Sequence, residues 1–369
     1  HNVSSEKFRE WAKKKISKTG PLHLSDAISA ALTHPDFGYY HSEEIIGSKG
    51  DFITAPEVSQ MFGELVGAFL AYIWEQSGRP ANSLLCEFGP GRGTLSADIN
   101  SALAQISPQF SGSPLHLIET SNSLREIQKT TLKRQTVCWH NDFKKIPNQP
   151  LFAVANEFFD ALGVNQAIFD GTDWRHRLLD FHTQFELVRG PILSNAELEA
   201  FNAISLKNQN SKNQENGTII EYSPKTAQIS AEIALHIKQF GGAFLIIDYG
   251  KSNQIGDTIQ AVSNHKPVEP WSNAGNADIS HWVDFDCIKR SSENAGARFI
   301  GPVSQSQFFT QIGIKQRAEM LANSQNPEIN RALFAAVDRL ISPAHMGNLF
   351  QVGLIIPAGE GLPPGFQAE

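Results

Sequence analysis

The sequence predicts an α/β chain built on a mostly parallel sheet covered on both faces, and three observations carry that expectation. Short apolar strands alternate with amphipathic helices from Ser83 to Asp160. A glycine-rich turn, Gly89-Pro90-Gly91-Arg92-Gly93, joins the first of these strands to its helix. The apolar run Gly242 to Tyr249 repeats the strand pattern late in the chain. With 369 residues, 41% of them hydrophobic, the chain can bury a sizeable core, and fibrous or disordered classes are excluded.

Taken in order, Ser5 to Ile16 reads as an amphipathic helix. Phe8, Trp11, Ala12 and Ile16 fall near helical spacing, and Ser4 or Ser5 can cap it. Thr19-Gly20-Pro21 ends it, and Leu24 to Leu32 follows as a second helix with Ser25 as cap. Two irregular loops come next, His34 to Tyr40 and Gly50 to Glu57. The second carries Asp51, Thr54 and Glu57, the composition of a lid, and Thr54 and Glu57 also have the spacing of a capping box. Val58 to Gln76 is strongly helical, with Met61, Leu65, Ala68, Phe69, Tyr72 and Ile73 on its apolar side.

Leu84 to Phe88 is then a strand, Thr94 to Ile106 a helix, Leu115 to Glu119 a strand and Ser123 to Leu132 a helix. Val137 to Trp139 and Leu151 to Ala155 are further strands. Val164 to Phe169, Trp174 to Phe181 and Phe185 to Val188 break the rhythm and read as antiparallel strands, closed by a polar loop over 208–216. Pro224 to Phe240 is a helix, Lys251 to Ser280 a polar loop region, and Val283 to Ala295 a helix. The tail reads as helices with a last strand near Leu349 to Ile355. No internal repeat is seen.

The charge balance is 31 basic against 38 acidic residues, a net of −7, which argues against a general nucleic-acid binder. The basic run Lys13-Lys14-Lys15 with Lys18 reads as a solvated helix face. Cys86, Cys138 and Cys287 are far apart with no CxxC spacing, so a reducing compartment is expected and no metal is. The 12 histidines show no HExxH spacing, and His34 and His41 lack a third ligand nearby. No apolar run approaches the roughly 20 residues a membrane helix needs. No signal-peptide pattern opens the chain, and its start at His1 instead of Met is expected of a trimmed or replaced terminus.

The segment Glu87-Phe88-Gly89-Pro90-Gly91-Arg92-Gly93 carries the strongest chemical signal. Glycines let a ligand approach the backbone closely. Dinucleotide sites use a related turn, with the helix N-terminus holding a pyrophosphate. S-adenosyl-L-methionine sites also use it, and a leading acidic residue suits a cofactor that bears a sulfonium and an ammonium and no phosphate. Glu119, at the end of the second strand, is placed to accept from both ribose hydroxyls, which either cofactor offers. Asp142 can accept from an adenine amino group or simply cap a turn. Asn156-Glu157-Phe158-Phe159-Asp160 follows the fourth strand, where strand ends face a ligand crevice. Its two carboxylates beside two aromatics suit a flat cation such as guanidinium.

At these residues the chain resembles the MidA family, which includes the mitochondrial complex I assembly factor that methylates arginine. The shared pattern runs through His34-Pro35, Phe37-Gly38-Tyr39-Tyr40 and Gly50-Asp51-Phe52, then Thr54-Ala55-Pro56-Glu57-Val58-Ser59. It continues through the glycine turn, Ala155 to Asp160, Glu221, Ser223-Pro224, Asp248-Tyr249-Gly250, Gly256-Asp257-Thr258 and Gln260-Ala261-Val262. It ends with Asp278-Ile279, Val283-Asp284-Phe285, Ser304-Gln305, Gly313-Ile314, Arg317 and Met346-Gly347. One departure is His281-Trp282 ahead of Val283, where the family pattern has an Ala-His pair.

The resemblance implies a Rossmann-like, seven-strand methyltransferase that uses S-adenosyl-L-methionine and methylates an arginine of a protein, such as a subunit of respiratory complex I. On that reading Glu87, Gly89, Pro90, Gly91, Gly93, Glu119, Asp142 and Asn156 are the expected cofactor residues. Glu157 is the first choice for orienting the guanidinium, with Asp160, Glu57 and Asp51 as further candidates. A non-catalytic binding factor for a respiratory complex and a nicotinamide-dependent oxidoreductase are the competing readings. The expected division is a helical and loop extension over 1–81 and a methyltransferase domain over 82–369, with insertions at about 164–218 and 251–280. A bacterial cytoplasm is the expected compartment, with the mitochondrial matrix as the alternative.

Overall fold

The computed structural model describes residues 3–42, 54–203, 214–323 and 325–369. These fall into two compact units. A large-sheet unit comprises Ile53–Phe158, Ile229–Gly250 and Ile288–Glu369, and a small-sheet unit comprises His1–Phe52, Phe159–Gln228 and Lys251–Cys287.

The large sheet contains β1 (Leu84–Phe88), β2 (Leu115–Ile118), β3 (Val137–His140), β4 (Leu151–Asn156), β5 (Gly242–Lys251), β6 (Arg298–Ser304) and β7 (Phe350–Ile356). They lie in the order β6-β7-β5-β4-β1-β2-β3. Neighbours from β5 to β3 are parallel, and β7 is antiparallel to both β5 and β6. This is the Rossmann-like, seven-strand order. β1, β2 and β4 are buried along their whole length, as their continuous apolar runs require of strands covered on both faces. β3 has only half-buried and exposed positions, which fits the sheet edge.

Helices pack on this sheet through a hydrophobic core. Phe62, Val66 and Phe69 of the helix Gln60–Gln76 join Leu117, Phe152, Val154, Leu245 and Ile247 of the strands. Phe62 meets Phe309 at 4.8 Å between ring centroids, and Trp74 stacks on Phe110 at 5.0 Å. Burying each such aromatic contributes roughly 1.5–3 kcal/mol.

The small-sheet unit has its own core, in which Phe8, Leu24, Ile28, Leu179, Trp271 and Ile279 meet. Its larger sheet pairs Asn165–Phe169, Trp174–Phe181 and Phe185–Ile192 as antiparallel neighbours, as their alternating pattern predicts.

Four local expectations are corrected. The helix expected over Val58 to Gln76 is two helices, Ala55–Val58 and Gln60–Gln76. Ser59 is extended between them and its Oγ accepts from Met61 N–H, because a serine hydroxyl competes well as an N-cap. The helix Leu24–Thr33 has His23 at its N-cap position, with no side-chain cap bond, and Ser25 lies inside the helix, its N–H donating to Asn165 Oδ1 at 3.0 Å. The stretch expected as a loop over Lys251 to Ser280 contains a three-stranded antiparallel sheet of Gln260–Ser263, Lys266–Val268 and Asp278–Ser280. Its apolar residues are too sparse to show a period, yet Ala261, Trp271 and Ile279 bury together. β6 escapes the sequence pattern because Gly301-Pro302 interrupts it, and its pairing with β7 shifts register between Ile300 and Val303. The polar loop over 208–216 lies largely outside the described residues.

Candidate active site

In the large sheet the strand order reverses between β1 and β4, and ligands bind beyond the carboxyl ends of strands at such a switch point. The glycine turn leaves β1 there, and Asn156-Glu157 leaves β4 beside it. Gly89, Gly91 and Gly93 all have left-handed backbones, with φ of +59°, +54° and +86°. Two of them differ in what surrounds them. A Cβ on Gly89 would lie 2.9 Å from the Phe158 ring, so that glycine is required by packing. A Cβ on Gly91 would meet nothing within 4 Å, so that backbone faces open space. Pro90 closes the turn by accepting from Gly93 N–H at 2.8 Å, and Gly93 starts the helix Thr94–Ile106.

Glu87 is buried, and its Oε1 accepts from Ser96 Oγ at 2.6 Å. Burial pushes its carboxyl up to about 7 against the opposing Ser96 bonds, and nearby Glu119 adds to the rise. It lines a small cavity with Leu70, Ile99 and Asn100 under the helix that follows the turn. Its side chain therefore ties the end of β1 to that helix.

Glu119 is also buried. Oε2 accepts from Ser121 N–H at 3.1 Å and Oε1 from Gln128 Nε2 at 3.0 Å. A carboxylate has about four acceptor positions, so these bonds and one from Thr120 N–H leave acceptor capacity for a ligand hydroxyl. Burial raises its pKa, while bonds from Ser121 and Gln128 and the charge of Arg125 oppose the rise. Arg125 grips the strand ends from the helix Asn122–Thr131. Its Nε donates to Glu119 O at 2.7 Å, and its guanidinium donates to Asn141 Oδ1 at 2.7 Å. Asp142 is exposed, and its Oδ1 accepts from Lys144 N–H at 2.8 Å. That is the turn-capping role open to it, with lone pairs to spare.

At the end of β4, Asn156 is 8% exposed and its buried Oδ1 has no hydrogen-bond partner among the described residues. A buried acceptor left unmet costs about 1–3 kcal/mol, which a bound donor recovers. Glu157 follows on a left-handed backbone, φ +52°, held by its N–H donating to Ile247 O at 2.9 Å. Such strain in a non-glycine residue collects at functional sites.

The structure therefore gathers the glycine turn, Glu119, Asn156 and Glu157 along the carboxyl ends of β1, β2 and β4. Glu57 joins them by accepting from Thr94 Oγ1 at the start of the post-turn helix. Thr54 makes no side-chain cap bond, so the expected capping box is absent and Glu57 spends its carboxylate on Thr94. Asp160 belongs to the small-sheet unit. There its carbonyl accepts from His281 N–H, and its carboxylate acts with Asp278 to raise the Tyr40 pKa, after burial. Asp51 lies outside the described residues. His281 is buried and neutral in that unit, its pKa lowered by burial to about 4. Its Nε2 accepts from Gly163 N–H and its Nδ1–H donates to Trp282 O.

Gln128, Arg125 and Ser96 were not read from the sequence. The available signal was a polar residue on the buried stripe of a helix, Gln128 standing four residues after Leu124.

Open backbone at Gly91, the acceptors left on Glu119 and the orphan oxygen of Asn156 fit a nucleoside cofactor that carries donor and cationic groups. Comparison with known proteins agrees. The profile of the S-adenosyl-L-methionine-dependent methyltransferase family matches residues 65–303. The rat protein arginine methyltransferase NDUFAF7, mitochondrial, is 32% identical over 93% of this chain and 83% of its own length. Its human counterpart of the same name is 31% identical, over 93% of this chain and 82% of its own. A crystal structure from Burkholderia thailandensis with S-adenosyl-homocysteine bound has a TM-score of 0.82 at 23% identity. It covers 99% of this chain and 94% of its own. These likenesses settle the choice between the two cofactor classes.

Proposed function

The chain belongs to the S-adenosyl-L-methionine-dependent methyltransferase family, and from that premise we propose that its acceptor is an arginine of a protein substrate. S-adenosyl-L-methionine, when bound, supplies an electrophilic methyl on a sulfonium, and this chain's residues position what attacks it. The observation that carries the proposal is Glu157, a carboxylate on a strained backbone at the switch point beside the glycine turn. An arginine is protonated at any relevant pH and its nitrogen lone pairs are delocalised. A carboxylate can hold the guanidinium and concentrate electron density on one nitrogen, so positioning contributes more than proton transfer.

In the same reading Glu119 holds the ribose and Asp142 the adenine amino group. Glu87, with Gly89, Pro90, Gly91 and Gly93, shapes the methionine end, and Asn156 accepts from a bound donor group. Asp160, Glu57 and Asp51 are further candidates for the guanidinium. The names of the relatives support the protein-arginine acceptor and a mitochondrial location, of which the matrix is our reading, over the bacterial cytoplasm. A respiratory complex I subunit as the substrate rests on the family resemblance. Among the described residues no helix is long and apolar enough to cross a membrane.

The test is Glu157→Gln, assayed by methyl labelling of protein together with S-adenosyl-homocysteine binding. Binding retained with transfer lost supports the role, and transfer retained with binding intact ends it. Mass spectrometry of labelled protein identifies the acceptor, and any residue other than arginine overturns the substrate reading.

A further inference from the structure

We propose that Gln128 is the positioning residue that couples the glycine turn to the ribose-holding carboxylate. Its carboxamide is fully buried on the helix Asn122–Thr131, where an uncompensated polar group is costly. Each end is engaged. Nε2 donates to Gly91 O at 2.8 Å and to Glu119 Oε1 at 3.0 Å, and Oε1 accepts from Trp139 Nε1 at 2.9 Å. One NH2 group therefore bridges the open glycine of the turn after β1 and the carboxylate after β2. The indole on β3 grips the carboxamide from behind, which fixes which end is oxygen and which is nitrogen.

The consequence is chemical as well as geometric. Glu119 has Ser121 N–H on one oxygen and Gln128 on the other, with Thr120 N–H as a further donor, so its rotamer is set with acceptor capacity left over. Without Gln128 the carboxylate would lose one of the anchors that define its direction. Gly91 O would at the same time lose the donor that holds the turn open for close approach of a ligand. A glutamine here satisfies all three partners at once. A methionine of similar length satisfies none, and a glutamate satisfies only the indole while adding a second carboxylate beside Glu119.

This inference rests on the reading that Glu119 binds the ribose hydroxyls, and the experiment separates the two. Affinities of the full chain for S-adenosyl-homocysteine and for its 2′,3′-dideoxyribosyl analogue are measured by calorimetry. In the unaltered protein, losing the two hydroxyls is expected to weaken binding by about tenfold to a hundredfold, as for hydrogen bonds to a charged group. Glu119→Ala should abolish that difference. If it does not, the ribose reading itself fails.

In Gln128→Met the hydroxyl-dependent factor should fall to about threefold or less, with S-adenosyl-homocysteine itself about tenfold weaker. Its acid limb of binding should also move to higher pH, since a bond that favours the Glu119 carboxylate is gone. A factor that stays at the unaltered value while Glu119→Ala removes it overturns the proposal. Trp139→Phe serves if Gln128→Met does not fold. It frees only the oxygen end of the carboxamide and should lower the factor about threefold, and an unchanged factor in that variant also overturns the proposal.

Discussion

Glu87 shows how a single buried carboxyl writes a pH dependence into the fold. Its folded pKa is raised to about 7 from an ordinary 4.5, mainly by burial. The folded state then holds a proton more tightly than the unfolded chain does. The stability this gives is complete below about pH 4.5 and is lost as the pH rises through 7. Glu87→Gln keeps an acceptor for Ser96 and removes the titration. Melting temperatures measured from pH 4.5 to 8 should diverge, the variant gaining on the unaltered protein by something on the order of 2 kcal/mol at the alkaline end. Glu221, also raised to about 7, titrates in both proteins and cancels from the difference. A constant difference across the range would mean Glu87 is not protonated in the fold. The glycines of the turn separate in the same way. Gly91→Ala meets no protein atom, so it should cost only about 1 kcal/mol of stability for its left-handed backbone while cutting S-adenosyl-homocysteine affinity at least tenfold. Gly89→Ala should instead lower the melting temperature sharply, because its Cβ strikes Phe158. Thermal shift with and without ligand distinguishes the two.

Elements reveal what was legible before the structure. The strands β1, β2, β4 and β5 announce themselves because a doubly covered parallel strand is a continuous apolar run. The glycine turn is legible because its backbone conformation admits few other residues. What lies outside the sequence signal is the second layer of contacts. Nothing local says that Gln128 reaches both Gly91 and Glu119, 37 and nine positions away, or that Glu57 bonds to Thr94. Those meetings are made by tertiary packing. The sheet over 260–280 is hidden for a related reason: its strands are three or four residues long and bury only a few apolar side chains. The break at Ser59 has a local signal, a serine ahead of an apolar helix, where its hydroxyl can cap. Because its Oγ caps Gln60–Gln76 at Met61 N–H, Ser59→Ala should destabilise the protein by about 1 kcal/mol. Urea unfolding measures this. Ser59→Asp, another good cap, should restore it, and an alanine variant as stable as the original would place the helix start elsewhere.

At the scale of the whole molecule, the described residues form two units, each with a hydrophobic core of its own. The glycine turn, Glu119, Asn156 and Glu157 all belong to the large-sheet unit. A ligand that binds only the folded site stabilises whatever must unfold to destroy that site, by RT ln(1 + [L]/Kd). At a ligand concentration a hundred times Kd this slows exchange through that opening about a hundredfold. Hydrogen exchange read peptide by peptide, with and without S-adenosyl-homocysteine, should therefore show its largest slowing over 84–156 and 242–250. Peptides over 165–192 and 260–280, whose side chains bury in the other unit's cores, should slow less, because they can open without dismantling the site. Equal slowing throughout would show that both cores unfold in one cooperative step. The size of the difference measures how far the two cores can open independently.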